Sequence, residues 1–241
     1  IEALGATARF EDLEAFIAIA AASCGSDEDS VVRSSLTAAC VRMPQESCAQ
    51  VLAAAMQDVA TDAKVLLLEQ LTSVGGKTAL RNVVAAATSE VEPLQDAATR
   101  LLGNWLSADA APEILRLAQT LSNGKYKIRA LRGYVRIARQ LNMTPAERLV
   151  VCRNTLTIAE RVADKELVFD VLRRYPTSDG LALAESLLAE DELRAKACWT
   201  IVGMAERLAA TSPEVTERAL LQVLKHTNAS RLKADAPGTR A

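Results

Sequence analysis

The chain contains very few aromatic residues, with three Phe, three Tyr and two Trp in 241 residues. β-Strands favour aromatic and β-branched residues, whereas the apolar residues of this chain are mostly Ala and Leu, the strongest helix formers. With 50% apolar and 24% charged residues, the composition also excludes a disordered chain. The sequence therefore predicts a folded, all-α protein.

Groups that catalyse reactions or bind metals are equally scarce. The sole histidine, His226, has no Cys, Asp or Glu at metal-ligand spacing, which excludes His-dependent triads and most zinc sites. The segment from Ser73 to Thr78 contains Gly-Lys-Thr, yet it lacks the first glycine of a phosphate-binding loop and follows a predicted helix. We therefore predict a protein that is not an enzyme, with no catalytic residue, no metal and no cofactor.

No apolar run reaches the roughly 18 residues of a membrane span, so the sequence predicts none. The five cysteines are odd in number, and most lie in apolar helical stretches, which favours free, buried thiols. A disulfide that involves Cys24, Cys40 or Cys48 is the alternative. Free thiols slightly favour the cytoplasm, while an exported protein with its signal peptide removed is the other interpretation of a chain that begins at Ile1. Neither pattern predicts the oligomeric state.

A repeat organises the chain. A basic or polar residue that opens an apolar helix recurs at intervals of 31, 31, 34, 36 and 29 residues, and the residues before these positions are Val32, Ala63, Leu94, Ile128, Asp164 and Leu193. Another amphipathic helix precedes each of these helices, after breaks that contain Pro or Gly. The pattern predicts about six antiparallel helical hairpins in one domain, residues 1–230, followed by a tail, residues 231–241.

Two segments carry a resemblance to a known family. The stretches Leu94–Gly103 and Ile128–Tyr134 resemble second helices of HEAT-like repeats, and the resemblance covers about residues 10 to 225. More narrowly, residues 96–210 resemble repeat modules of large bacterial multidomain proteins, some of which carry a β-sandwich domain linked to sugar chemistry. The resemblance implies a right-handed α-solenoid whose second helices line a concave surface that binds partners.

Charge is distributed unevenly along the chain. Residues 1–115 hold 7 Lys and Arg against 16 Asp and Glu, whereas residues 116–174 hold 13 basic against 5 acidic residues. In the basic part, five cations fall on one helical face at spacings of four, three, four and three: Lys125, Arg129, Arg132, Arg136 and Arg139. We call this set the basic stripe. Solvated helices usually mix charges of both signs, so the stripe is a candidate binding surface, with Tyr134 as a candidate aromatic anchor.

The same pattern also has a structural explanation. Arg129 is able to form an ion pair with an acidic loop of the neighbouring repeat. Arg33 and Arg194 occupy equivalent positions in their repeats and are able to pair in the same way. In that case the stripe is only the solvated face of an amphipathic helix.

Three functions fit these observations. The leading hypothesis is a non-catalytic scaffold that binds a protein on its concave face, either an acidic partner or another domain of the same polypeptide. The second is binding of nucleic acid or another polyanion by residues 125–139, which overall acidity and scarce aromatics disfavour. The third is an accessory repeat domain of a larger multidomain protein, carbohydrate-active in the narrower resemblance.

Overall fold

The computed structural model describes residues 2–234, and every regular element in this range is helical. The absence of strands from the described range confirms the predicted all-α class. No helix in it has the length and apolar character needed to cross a lipid bilayer. Of the predicted tail, residues 235–241 lie outside the described range, while residues 231–234 belong to the last helix.

The chain divides into two compact units, of which the first ends at Tyr134 and the second begins at Val135. The first unit contains α1 (Glu2–Thr7), α2 (Leu13–Ala22), α3 (Asp29–Arg42), α4 (Gln45–Ala55), α5 (Thr61–Val74), α6 (Gly76–Ala87), α7 (Glu92–Gly103) and α8 (Ala111–Thr120). The boundary falls inside α9 (Gly124–Gln140). The second unit continues with α10 (Pro145–Ile158), α11 (Val162–Lys165), α12 (Leu167–Arg174), α13 (Ser178–Ser186), α14 (Asp191–Leu208) and α15 (Pro213–Ala234). Short 3-10 turns precede α2 and α8 and follow α13.

The predicted breaks coincide with helix starts because they depend on local chemistry. Helix α4 begins directly after Pro44, and α6 begins at Gly76, whose φ of 87° favours glycine. Helix α10 begins at Pro145, and Thr144 caps it: the Thr144 hydroxyl accepts from the Glu147 N–H, and the Glu147 carboxylate accepts from the Thr144 N–H. The Thr144 cap satisfies a backbone donor that the first turn of α10 would otherwise leave unpaired.

In the first unit, each helix from α2 to α7 packs on the next or preceding helix of this series, and helices also pack on the helix after next. Thus α3 packs on α5 and α5 on α7, while α2 packs on α4, α4 on α6 and α6 on α8. Helix α5 also packs on α4 and α6, so neighbours surround it on several sides. It is accordingly apolar around much of its circumference, and Leu66, Leu67, Leu68 and Leu71 are all fully buried.

The second unit repeats this pattern with one irregularity. Helix α10 packs on α12 and α12 on α14, while α13 packs on α14 and α15. The helix predicted to open at Asp164 is split into the single turn α11 and the longer α12, with a turn at Glu166 between them. The carboxylate of Asp164 is buried in this corner and pairs with Arg161 at 3.3 Å. The split shortens α12 to eight residues.

Three aromatic residues differ widely in exposure. Trp199 lies between Cys198 and Ile201 in an apolar stretch of α14, yet it is 55% exposed. Trp105 and Tyr134 are each only 3% exposed. The apolar periodicity of a single helix does not define which of its sides neighbouring helices cover.

All five cysteines are free. Cys40, Cys48 and Cys152 are buried, while Cys24 and Cys198 are half-buried. Burial raises the pKa of the Cys152 thiol to about 12, so this side chain stays a neutral thiol at physiological pH.

Candidate functional site

Helix α9 carries the whole basic stripe and Tyr134, but the structure places these residues in different surroundings. In the first unit, two stripe residues converge on Asp96 of α7. The Lys125 Nζ lies 2.7 Å from the Asp96 Oδ1, and the Arg129 Nη1 lies 3.3 Å from the same oxygen. Arg129 also donates to the Asp96 carbonyl oxygen and to the Thr99 hydroxyl, both at 2.9 Å. The N-terminal end of the stripe therefore forms ion pairs and hydrogen bonds that hold α9 against α7.

Asp96 also pairs with Arg100 of its own helix at 3.1 Å, so three cations surround one carboxylate. The hydrogen bond from Lys125 is the main cause that lowers the pKa of Asp96, and it raises the pKa of Lys125 in turn. The structural explanation thus holds for Lys125 and Arg129. Their partner differs from the predicted one, however, because Asp96 lies inside α7 and not in the acidic loop before it.

The equivalent arginine of an earlier helix behaves in the same way. The Arg33 Nη1 lies 2.5 Å from the Glu69 Oε2 of α5, and the Arg33 Nη2 lies 3.1 Å from Asp29 of its own helix. Arg194, by contrast, pairs with Asp191 of its own helix and donates to the Leu188 carbonyl oxygen at 2.8 Å. Ion pairs between neighbouring helices are therefore a recurring feature of the first unit.

Replacement of Asp96 by Asn should lower the free energy of unfolding by about 1 kcal/mol at neutral pH and low salt, because three partly exposed cations lose their counter-charge. The pKa of Asp96 is lowered in the folded state, so its contribution is present above the unfolded pKa and is lost as the pH falls through the folded pKa. Urea denaturation between about pH 5 and pH 2 should show this loss in the parent and not in D96N. Asp58→Asn is the control, because Asp58 is exposed and forms no ion pair; equal effects of D96N and D58N would contradict the assignment.

The residues in the middle of α9 differ in their exposure to solvent. Arg132 is exposed and Arg136 is half-buried, whereas the ring of Tyr134 is buried. Tyr134 is therefore not placed to contact a partner at the surface, and the candidate anchor role does not fit its position. Burial, with a smaller contribution from the nearby Arg139, lowers the pKa of Arg136.

In the second unit, the stripe meets two arginines of α12. A cleft of about 530 Å³ is lined by Arg139 and Gln140 of α9 and by Asp170, Arg173 and Arg174 of α12. The Arg139 Nη1 lies 3.8 Å from the Asp170 Oδ2, which is the only carboxylate of this lining. We call Arg136, Arg139, Arg173 and Arg174 the arginine cluster.

Neighbouring side chains hold the cluster in place. The guanidinium carbon of Arg173 lies 3.5 Å from the ring centroid of Trp199 on α14, a cation–π contact at an exposed ring. One turn further along α14, a Cβ atom on Gly203 would come 3.1 Å from the Arg173 Nε, so the glycine leaves room for this side chain. The Arg174 Nε donates to the Tyr175 hydroxyl at 3.2 Å.

Backbone contacts fix the same region. The Tyr175 hydroxyl donates to the Arg139 carbonyl oxygen at 3.2 Å. The Arg207 Nη1 donates to the carbonyl oxygens of Arg173 and Arg174, at 3.0 and 3.2 Å, and thereby satisfies the end of α12. The cluster is therefore largely preorganised, with guanidinium groups at a cleft whose charge is predominantly positive.

Such an arrangement binds anions, and carboxylates in particular, because a guanidinium offers parallel donors that match a carboxylate. Nothing in the cleft supplies a nucleophile with a base. Within residues 2–234, no group of three or more His, Cys, Asp or Glu side chains is arranged to hold a metal ion. His226 lies on α15, and the segment from Ser73 to Thr78 spans the junction of α5 and α6, where only Gly75 lies outside a helix.

The sequence analysis did not identify Arg173, Arg174 or Trp199 as candidate site residues, although the repeat spacing of the sequence pointed to Arg173. Arg139, Arg173 and Arg207 follow one another at intervals of 34 residues, which lies within the range of the repeat. Alignment of α9, α12 and α14 on this interval would have extended the stripe from one helix to three. The exposure of Trp199 had no such signal.

No family model matches the sequence, and no curated protein matches it. Among solved structures, the chain is similar to an engineered protein, a target of the Northeast Structural Genomics Consortium, with 14% sequence identity and a TM-score of 0.32. The alignment covers 90% of this chain and 97% of that one. A TM-score this low does not establish a shared fold.

Proposed function

We propose that the chain is a non-catalytic interaction scaffold that binds an acidic segment of a protein partner through the arginine cluster. The scaffold is a right-handed α-solenoid of about six HEAT-like hairpins, in which α9, α12 and α14 contribute to the concave face. Packing of the helices from α2 to α7 on their chain neighbours, and of many helices on the helix after next, supports this architecture. The partner is another protein or another domain of the same polypeptide.

The observation that carries the proposal is the charge of the cleft. Three arginines, Arg139, Arg173 and Arg174, face a single carboxylate there, so the site has an excess of positive charge. Because Trp199 and Gly203 already order Arg173, a ligand carboxylate would bind with less loss of side-chain entropy than at a mobile arginine.

An acidic protein segment fits the site better than nucleic acid does. Proteins that bind single strands stack bases on exposed aromatic rings. The Trp199 side chain is 55% exposed, but the Arg173 guanidinium covers one face of its ring.

The test compares a labelled Glu-Gly peptide with a Lys-Gly peptide and with single-stranded oligothymidine, by fluorescence anisotropy at low and at physiological salt. We expect the parent chain to bind only the acidic peptide, with affinity that falls as salt rises. The double variant R173Q/R174Q should bind it about tenfold more weakly.

The matched control is R153Q/K225Q, which removes the same charge from two exposed cations that form no ion pair within the described residues. Its affinity should stay within about twofold of the parent. Failure of the parent to bind the acidic peptide, an equal loss in the control, or tighter binding of the oligonucleotide would each contradict the proposal.

A further inference from the structure

A second cleft lies in the first unit, between α6 and α8, on helices that carry none of the basic stripe. Its volume is about 480 Å³. Leu80, Val84 and Ala85 of α6 form an apolar floor, and three cations stand beside it: Lys77, Arg81 and Arg116. The cleft thus combines an apolar surface with a positively charged rim.

The residues of α6 that line the cleft follow one continuous helical face. They are residues 77, 80, 81, 84, 85 and 88, which lie three, four, seven, eight and eleven positions after the first. At a rise of 1.5 Å per residue, this face is about 16 Å long, or three helical turns. A face of this length can accommodate about three turns of an amphipathic helix, whose own anchoring side chains recur at i, i+3, i+4 and i+7.

The neighbouring helix pair shows how such a junction is otherwise closed. Between α4 and α6, the Thr78 hydroxyl donates to Glu46, and beside it the Gln45 side chain donates to the Val74 carbonyl oxygen at the end of α5, at 2.7 Å. Across the α6–α8 cleft, by contrast, no hydrogen bond or ion pair joins a lining side chain of α6 to a lining side chain of α8. Glu113 instead pairs with Arg116 on its own helix at 3.0 Å. The cleft is therefore open along its length.

The rim charge is unusual for this part of the chain. Residues 1–115 contain only 7 cations against 16 carboxylates, yet Lys77 and Arg81 form no ion pair with any described residue. Carboxylates abound in this unit, so two cations left beside an apolar floor favour a ligand that brings its own negative charge.

We propose that this cleft binds an amphipathic helix of another protein, with its apolar face on Leu80, Val84 and Ala85 and its flanking carboxylates against Lys77 and Arg81. The site is separate from the arginine cluster and does not depend on it. The proposal commits to a helix because the lining follows three turns of one helical face, and to an acidic one because of the rim.

The test uses the full chain with R173Q/R174Q, so that binding at the arginine cluster is weakened equally in every arm. The probe is a labelled 18-residue peptide of Leu, Ala and Glu, with leucines at i, i+3, i+4 and i+7 and glutamates on both sides of them. One control peptide carries Lys in place of Glu, and another has the same composition with the leucines spread around the helix. Fluorescence anisotropy reports binding.

We expect the acidic amphipathic peptide to bind more tightly than either control peptide. Arg81→Glu should weaken its binding about tenfold, and Ala85→Glu, which places a carboxylate on the floor at an exposed helical position, should weaken it at least as much. Arg153→Glu, an equal charge reversal outside the cleft, should leave binding unchanged. Melting temperatures of R81E and A85E close to that of the background show that folding is intact.

Three results would overturn the proposal: no binding of the acidic peptide at low salt, equal binding of the Lys or redistributed peptide, or unchanged binding to R81E and A85E. Because every arm carries R173Q/R174Q, differences between the arms report on the α6–α8 cleft and not on the arginine cluster. Conversely, loss of Glu-Gly binding in R173Q/R174Q tests the cluster alone.

Discussion

Replacing Arg148 with Met should lower the free energy of unfolding by about 3 kcal/mol, because it leaves two carbonyl oxygens at the end of α9 without donors. Arg148 is only 7% exposed. Its Nη1 donates to the Ala138 carbonyl oxygen, and its Nη2 donates to the Leu141 carbonyl oxygen at 2.8 Å. The last carbonyls of a helix have no intrahelical partner, and a buried one is costly when it stays unpaired.

The guanidinium of Arg148 also stacks on an aromatic ring. Its central carbon lies 3.6 Å from the ring centroid of Tyr175, whose hydroxyl in turn donates to the Arg139 carbonyl oxygen. Met keeps the length of the side chain and its apolar contacts but has neither the donors nor the charge. Lys keeps the charge but lacks the planar guanidinium with its several donors. The free energy of unfolding of Arg148→Lys should therefore lie between that of the parent and that of R148M.

Urea denaturation followed by circular dichroism measures the effect. Arg153→Met is the matched control, because Arg153 lies on the same helix, α10, with an exposed side chain and no ion pair. It should change the free energy of unfolding by less than about 0.5 kcal/mol. If R148M were as stable as R153M, the buried guanidinium would not be the cap that holds the end of α9.

Arg148 also shows where sequence reasoning stops. The break before α10 was predictable, because Thr144, Pro145 and Glu147 form a local capping pattern that is complete within four residues. Nothing in the same stretch distinguishes Arg148, which is buried, from Arg153, which is exposed. The difference arises from contacts with Ala138, Leu141 and Tyr175, and these are set by tertiary packing.

The candidate site was predictable to a similar degree. The spacing of charges placed all five cations on α9, but it did not reveal that Asp96 neutralises Lys125 and Arg129. It also gave no reason to join Arg139 with Arg173, because the pairing depends on which helices lie side by side. Periodicity defines a face of one helix, whereas a binding surface is a property of several helices together.

The second large effect concerns Gly133, which lies inside α9 where helix propensity alone would favour Ala by about 1 kcal/mol. A Cβ atom at this position would come 2.9 Å from the Gly103 Cα of α7, against backbone that cannot move aside as a flexible side chain would. Substitution therefore forces α7 and α9 apart, and it strains the Lys125 and Arg129 contacts with Asp96.

Gly133→Ala should therefore destabilise the chain despite its better helix propensity, and Gly133→Leu should lower the free energy of unfolding by about 3 kcal/mol. The control is Gly103→Ala, on the other side of the same contact. Its Cβ would meet only the Arg129 Cγ, at 3.9 Å, which is an ordinary van der Waals distance. G103A should be neutral or slightly stabilising, since the propensity gain is then not opposed by a clash. If urea denaturation shows G133A to be as stable as G103A, the two helices do not approach each other as closely as these glycines indicate.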